Sequence, residues 1–175
     1  MFFDRLTGVG VLALIPERWA RVNMGKAVGR CVWLQQDIDT AIVAAAMRGL
    51  TVVRLKSGDP SVFGRAAEKI AAAQSHGVAV EVTPGATAAS AVAASALRPL
   101  TERGRFDRVL MLSATTLTGA LPQDVARAIA PGTRVAVYMG IHLARQLQHR
   151  LIAAGLCPDT SVLIVQDTSS IAERQ

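Results

Sequence analysis

The sequence predicts an α/β fold with mostly parallel sheets, and three observations predict it. Short β-branched runs alternate with longer alanine-rich stretches of helical period. Hydrophobic residues make up 51% of the 175 positions while aromatics make up 4%, which suits small-residue helices on sheets better than an aromatic-rich sandwich. Glycine and proline signals separate the runs. A β-α-β-α order implies crossover connections and a ligand cleft at the carboxyl ends of the strands.

Met1-Phe2-Phe3 reads as the end of a strand, and Arg21-Val-Asn-Met24 as a weaker strand. Gln35 to Met47 is predicted helical, with Ile38, Ile42 and Ala45 aligned on one face. Val52-Val53 with Leu55 forms the next strand and runs into the turn signal Ser57-Gly-Asp-Pro60. Arg65 to His76 is helical and stopped by Gly77. Val78 to Val82 is a strand, Pro84-Gly85 turns the chain, and Thr87 to Leu97 forms a small-residue helix.

A second block follows Pro99-Leu-Thr-Glu-Arg103. Arg108 to Leu112 is a strand, Leu121 to Ala130 a helix closed by Pro131-Gly132, and Arg134 to Tyr138 another strand. Ile141 to Ala154 is helical, with Leu143, Leu147 and Leu151 at i, i+4 spacing, and Gly155 ends it. Ser161 to Val165 is the last strand. The expected division is into residues 1–101 and 102–175, two α/β lobes meeting near 98–105. There is no internal repeat.

Nineteen basic and thirteen acidic residues leave a net charge of +6. The arginines are scattered and not interleaved with aromatics, which argues against a nucleic-acid partner and leaves room for a small acidic substrate. Cys31 and Cys157 lie far apart, form no metal-type pair and fit a reducing compartment. No metal site is expected. Asp4 and Arg5 follow Met1 too closely for a signal peptide, and no apolar run approaches the ~20 residues of a membrane span. A cytoplasmic protein without a membrane partner is the expectation.

Ser57-Gly58-Asp59-Pro60 is the sharpest local feature. Gly58 lets backbone amides approach a ligand at a strand end, Pro60 stiffens the turn, and Asp59 can bond local backbone or a ligand hydroxyl. Neither a Gly-x-Gly-x-x-Gly nor a P-loop is present.

The run Val52-Val-Arg-Leu-Lys-Ser-Gly-Asp-Pro-Ser-Val-Phe-Gly-Arg65 closely resembles the signature of uroporphyrinogen-III C-methyltransferases, in the tetrapyrrole methylase family. Val80-Glu-Val-Thr-Pro-Gly-Ala-Thr-Ala-Ala-Ser90, Pro99-Leu-Thr-Glu-Arg103 and Val135-Ala-Val-Tyr-Met-Gly140 resemble further blocks of that family. Phe3-Asp-Arg-Leu6 and Met24-Gly-Lys-Ala-Val-Gly29 resemble two earlier ones, all in family order.

The resemblance implies a two-lobed tetrapyrrole methylase fold with the cofactor cleft between lobes. It implies S-adenosylmethionine as methyl donor, bound by Ser57, Gly58, Asp59, Val62, Thr87, Ala88, Met139 and Thr168. It places a proton acceptor at Asp4 and a proton donor at Lys26. The substrate implied is uroporphyrinogen III, converted to precorrin-1 and precorrin-2 towards sirohaem and cobalamin, by a homodimer. The arginines at 5, 30, 54, 65 and 103 would then have carboxylates to recognise. Taken singly, Thr87 also fits a helix N-cap, Val62 and Met139 core positions, Asp4 a cap or partner of Arg5, and Lys26 a solvated charge. The three histidines read as structural, and Trp19 and Trp33 as packing residues.

The family pattern also includes a glycine- and proline-rich loop before Phe3 and further strands after Arg174, so the chain reads as truncated at both ends. Ser57 stands where the family has glycine, Ala66-Ala67 where it has a glycine pair, and Cys31, Glu102 and Thr115 where histidines are common. Competing expectations are a non-catalytic remnant and a methylase of the same fold acting on another precorrin or on ribosomal RNA.

Overall fold

The computed structural model describes residues 1–4, 6–25, 33–116, 118–122, 125, 130–170 and 172–174. Two compact units result, Met1–Thr87 and Ala88–Gln175.

In the first unit, β1 (Phe2–Phe3), β2 (Val22–Asn23) and β3 (Arg54–Leu55) form a parallel sheet in the order β2-β1-β3. Phe2 pairs with Val22 on one side and with Arg54 on the other. Short α1 (Val9–Ala13), which the sequence pattern does not announce, lies on the way from β1 to β2. Helix α2 (Gln35–Met47), between β2 and β3, spans the residues expected of it. Its start is fixed by the Asp37 carboxylate, which accepts a hydrogen bond from the Leu34 amide at 3.1 Å. Its apolar face supplies Ile38, Ala41, Ile42 and Ala45, which pack with Phe2, Val22, Met24 and Val52 into the core of this unit. Helix α3 (Ala66–Gln74) follows β3, and Lys69 on it reaches Asp39 on α2 at 3.7 Å with both side chains about 15% exposed. Gly77, at φ +71°, closes α3: the Val78 amide donates to the Ala73 carbonyl and the Gly77 amide to that of Gln74.

The second unit holds α4 (Ala88–Ser95), the parallel pair β4 (Arg108–Ser113) and β5 (Thr133–Tyr138), a 3₁₀ turn (Ile141–Leu143) and α5 (Ala144–Ala153). All six residues of β4 pair in register with β5, from Arg108 with Thr133 to Ser113 with Tyr138. Leu121, Val125, Ala89 and the fully enclosed Ala114 are its buried apolar residues.

The α/β class and the parallel sheets are as the sequence predicts. Two expected strands differ. Residues 78–82 and 161–165 join no ladder among the described residues, and Val80, Val82, Val162, Leu163 and Ile164 are between 41% and 75% exposed. β-branched side chains favour extended backbone, but a strand exists only where a second one offers its amides and carbonyls. Trp19 (43%) and Trp33 (38%) are exposed rather than packing residues. Most of the helix expected at 121–130 lies outside the described residues. Among those described, no helix is long and apolar enough to cross a membrane, and no cluster of ligating side chains could hold a metal.

Candidate functional site

The order β2-β1-β3 sends the chain to opposite sides of β1, so the carboxyl ends of β1 and β3 flank the point where the winding reverses. Open parallel sheets bind ligands at such points. Asp4 is the first residue after β1, and Lys56, Ser57 and Gly58 are the first after β3. The pairing of Phe3 with Leu55 brings these two strand ends together.

Asp4 is enclosed by partners. Its Oδ2 accepts from Arg54 Nη2 and from Lys56 Nζ, each at 3.4 Å, and its Oδ1 accepts from the buried Thr7 hydroxyl at 3.3 Å. Arg54 also donates through Nη1 to the carbonyls of Leu55 (2.8 Å) and Phe2 (3.4 Å). Burial pulls the Arg54 guanidinium below its ordinary pKa, and the neighbouring Asp4 opposes that shift. Arg54 Nε is buried without a hydrogen-bond partner among the described residues. Arg54 thus spends its charge on Asp4, and Arg65 spends its own on Glu68 (2.9 and 2.6 Å), while Arg103 is exposed. Arg5, Arg30, Cys31 and the proposed donor Lys26 lie outside the described residues.

Beyond Lys56 the chain turns through exposed Ser57 and Gly58, the latter at φ +75°, a conformation open to glycine at no steric cost. The Asp59 carboxylate holds the turn. Oδ1 accepts from the Ser61 amide at 2.7 Å and from the Ser61 hydroxyl, and Oδ2 accepts from the Gly85 amide at 3.4 Å. The Ser61 bonds, led by that of its hydroxyl, keep the Asp59 carboxyl below the usual aspartate pKa. These bonds are the local backbone use that the sequence leaves open to Asp59. The Val62 amide continues the turn by donating to the Asp59 carbonyl at 3.2 Å.

Gly85 lies so close to this turn that a Cβ there would run into the Gly58 carbonyl oxygen, and a Cβ on Gly58 would stand 3.7 Å from the Ala86 oxygen. Glycine at 58 and 85 therefore lets the two turns pack backbone against backbone, with the Asp59 carboxylate bonding across them. Thr87, which follows, is buried.

In the second unit Met139 follows β5 at φ +57° and is 57% exposed, so it is not a core residue. Tyr138 just before it accepts a hydrogen bond from the Ala89 amide at 3.0 Å, in the first turn of α4 beside half-buried Ala88. The Thr168 hydroxyl donates to Glu173 Oε2 at 3.3 Å. Left-handed backbone at non-glycine residues recurs along the chain beside expected site residues: Phe63 and Arg65 after Val62, Met139 itself, and Asp167 and Ser169 around Thr168. Each such residue costs on the order of 1–2 kcal/mol. The open groove of about 400 Å³ between α2 and α3, with Asp39, Val43, Met47 and His76 on its walls, is lined by none of the expected site residues.

Residue types alone leave Lys56 and Tyr138 unmarked. Lys56 sits beside the turn motif, and Tyr138 is the chain's one tyrosine; those are the signals that point to them.

Fold and turns together define a parallel α/β protein with an exposed glycine turn at its winding reversal. Residues 9–175 match the family of Tetrapyrrole (Corrin/Porphyrin) Methylases. The chain belongs to that family. It is 37% identical to a uroporphyrinogen-III C-methyltransferase of Paracoccus denitrificans over 98% of this chain and 60% of that protein. It is 35% identical to a siroheme synthase of Hydrogenovibrio crunogenus over 99% of this chain and 37% of that protein. Thus it spans less than two thirds of the length of these curated relatives. The crystal structure of uroporphyrin-III C-methyl transferase from Thermus thermophilus, complexed with S-adenyl homocysteine, superposes with a TM-score of 0.82 at 34% identity. That match covers 99% of this chain and 72% of the Thermus chain. A cobalt precorrin-4 methyltransferase, 21% identical with a TM-score of 0.79, shares the fold.

Proposed function

We propose that the chain carries the cofactor and substrate site of an S-adenosylmethionine-dependent C-methyltransferase that converts uroporphyrinogen III to precorrin-1 and precorrin-2. The observation that carries this reading is the meeting of Asp4 with Lys56, one residue before the Ser57–Pro60 turn, at the carboxyl ends of β1 and β3.

The residues fit the cofactor in that Gly58, exposed and without a side chain at the carboxyl end of β3, lets a ligand come close to backbone, and Gly85 lets the second turn pack against it. When bound, S-adenosylmethionine supplies a methyl group already activated by its sulfonium. Ser57, Gly58, Asp59, Val62 and Thr87 in the first unit, with Ala88, Met139 and Thr168 in the second, are the positions we assign to holding it. Asp59 acts by pinning the two turns to each other, Gly58 by its exposed backbone. Alignment of the donor with the pyrrole carbon supplies much of the acceleration. Carbon methylation leaves the ring system positively charged and obliges it to lose a proton. The Asp4 carboxylate, fixed by Thr7, Arg54 and Lys56, accepts that proton, and Lys26 donates where the tetrapyrrole must regain one.

We read the whole protein as a cytoplasmic homodimer acting on a tetrapyrrole, with lobes dividing at 101/102. Titration of the chain with S-adenosylhomocysteine, followed by a labelled-methyl transfer assay with uroporphyrinogen III, tests it. Saturable binding with label in the tetrapyrrole supports the reading. Label transfer that survives Asp4→Ala at the unaltered rate removes the acceptor role.

A further inference from the structure

Tyr138 and Ala89 meet within the second unit, and no assigned role accounts for the contact. Ala89 is the second residue of α4, so its amide is one of the first-turn donors with no acceptor inside the helix. A preceding Ser, Thr or Asp side chain commonly serves such amides. Here the acceptor comes from a strand 49 residues away: the phenolic oxygen of Tyr138, the last residue of β5, at 3.0 Å in a half-buried setting. The strand end is held as well. The Ala114 amide donates to the Tyr138 carbonyl at 2.9 Å, and Ala114 is fully enclosed. Tyr138 is therefore anchored through its backbone to β4 and reaches α4 through its hydroxyl. The residues next to the two contact points are Ala88 and the left-handed, exposed Met139.

We propose that Tyr138 is a positioning residue of the cofactor site, whose hydroxyl sets the first turn of α4 against the end of β5 and so fixes the separation of Ala88 and Met139. The proposal rests on the cofactor reading above. Removing the hydroxyl keeps the ring but leaves the Ala89 amide without its acceptor, so the α4 turn gains freedom that ligand binding must then remove.

Isothermal titration of S-adenosylhomocysteine into the unaltered chain and into Tyr138→Phe tests this. The expected result is a dissociation constant raised roughly tenfold, the size of one lost hydrogen bond, measured well below the unfolding temperature of both proteins. In methyl transfer, KM for the donor rises by a similar factor while kcat stays within about twofold, as loss of uniform binding requires. A purely structural tyrosine would lower the unfolding temperature and leave the dissociation constant unchanged; that outcome overturns the proposal alone. Absence of binding by the unaltered chain overturns the cofactor reading and the proposal with it. If Tyr138→Phe does not fold, amide exchange in the unaltered chain decides. Ala89 exchanging at least about tenfold slower than an unstructured amide supports the contact, and unprotected exchange overturns it.

Discussion

Arg54 Nη2 and Asp4 Oδ2 stand 3.4 Å apart although 50 residues separate them in the chain, and both side chains are largely withdrawn from solvent. The pair closes β3 onto β1, because the same guanidinium also bonds the carbonyls of Phe2 and Leu55. Removing the cation leaves Asp4 half-buried with Lys56 and Thr7 as its remaining partners. Arg54→Met should destabilise the chain by about 1–3 kcal/mol, below the full cost of breaking a deeply buried pair because water reaches the edge of this one. Urea unfolding measures it. A change under about 0.5 kcal/mol would show the contact to be idle.

Gly85→Ala should be unfavourable for a different reason. The added methyl collides with the Gly58 carbonyl oxygen, which is backbone and cannot rotate away. Overpacking of this kind costs about 1–3 kcal/mol. S-adenosylhomocysteine affinity should fall more than stability, since the turn that moves is the one assigned to the cofactor. Unfolding and titration of one preparation compare the two losses.

Asp59 predicts an acid sensitivity. Its folded pKa lies below the 3.8 of an ordinary aspartate because the Ser61 and Gly85 groups bond the carboxylate. A depressed acid contributes stability that is fully present above its unfolded pKa and lost as pH falls through the folded one. Asp59→Asn should remove that part of the acid dependence and lower stability at pH 7, where the bonds to the ionised carboxylate contribute in full. A carbon-13 titration of the Asp59 carboxyl should find its midpoint below 3.8. A midpoint at or above that value contradicts the bonds.

Leu97 offers a gain. Helix α4 closes with the Arg98 amide on the Ala93 carbonyl and the Leu97 amide on that of Ala94, the same closure that Gly77 makes for α3. Leu97 adopts φ +51° with 87% of its surface exposed, so it bears the left-handed strain without burying its side chain in return. Leu97→Gly should raise stability by about 0.5–1 kcal/mol and the unfolding temperature by a few degrees. No change, or a lower temperature, would place the strain elsewhere.

Helices α2, α3 and α5 are legible in the sequence because their signals are local: Ile38, Ile42 and Ala45 on one face, and Gly77 and Gly155 as stops. The turn at Ser57–Pro60 is legible for the same reason, since Gly58 and Pro60 carry their conformational preferences with them. Strand pairing is not local. Residues 78–82 and 161–165 have the composition of β4 and β5, yet among the described residues β4 and β5 pair while those two runs do not, because a ladder needs a neighbour at the right register. The same limit applies to side chains. Asp4 stands out by its place in a family segment, but that Arg54 and Lys56 share one of its oxygens follows from the sheet order β2-β1-β3. Likewise the bond that Asp59 accepts from Gly85 follows from the approach of a second turn 26 residues on. Local propensity and family order thus determined the elements and the residues worth watching. Contacts over 26 to 52 positions decided their partners, because such contacts depend on how the elements pack, which no stretch of sequence encodes alone.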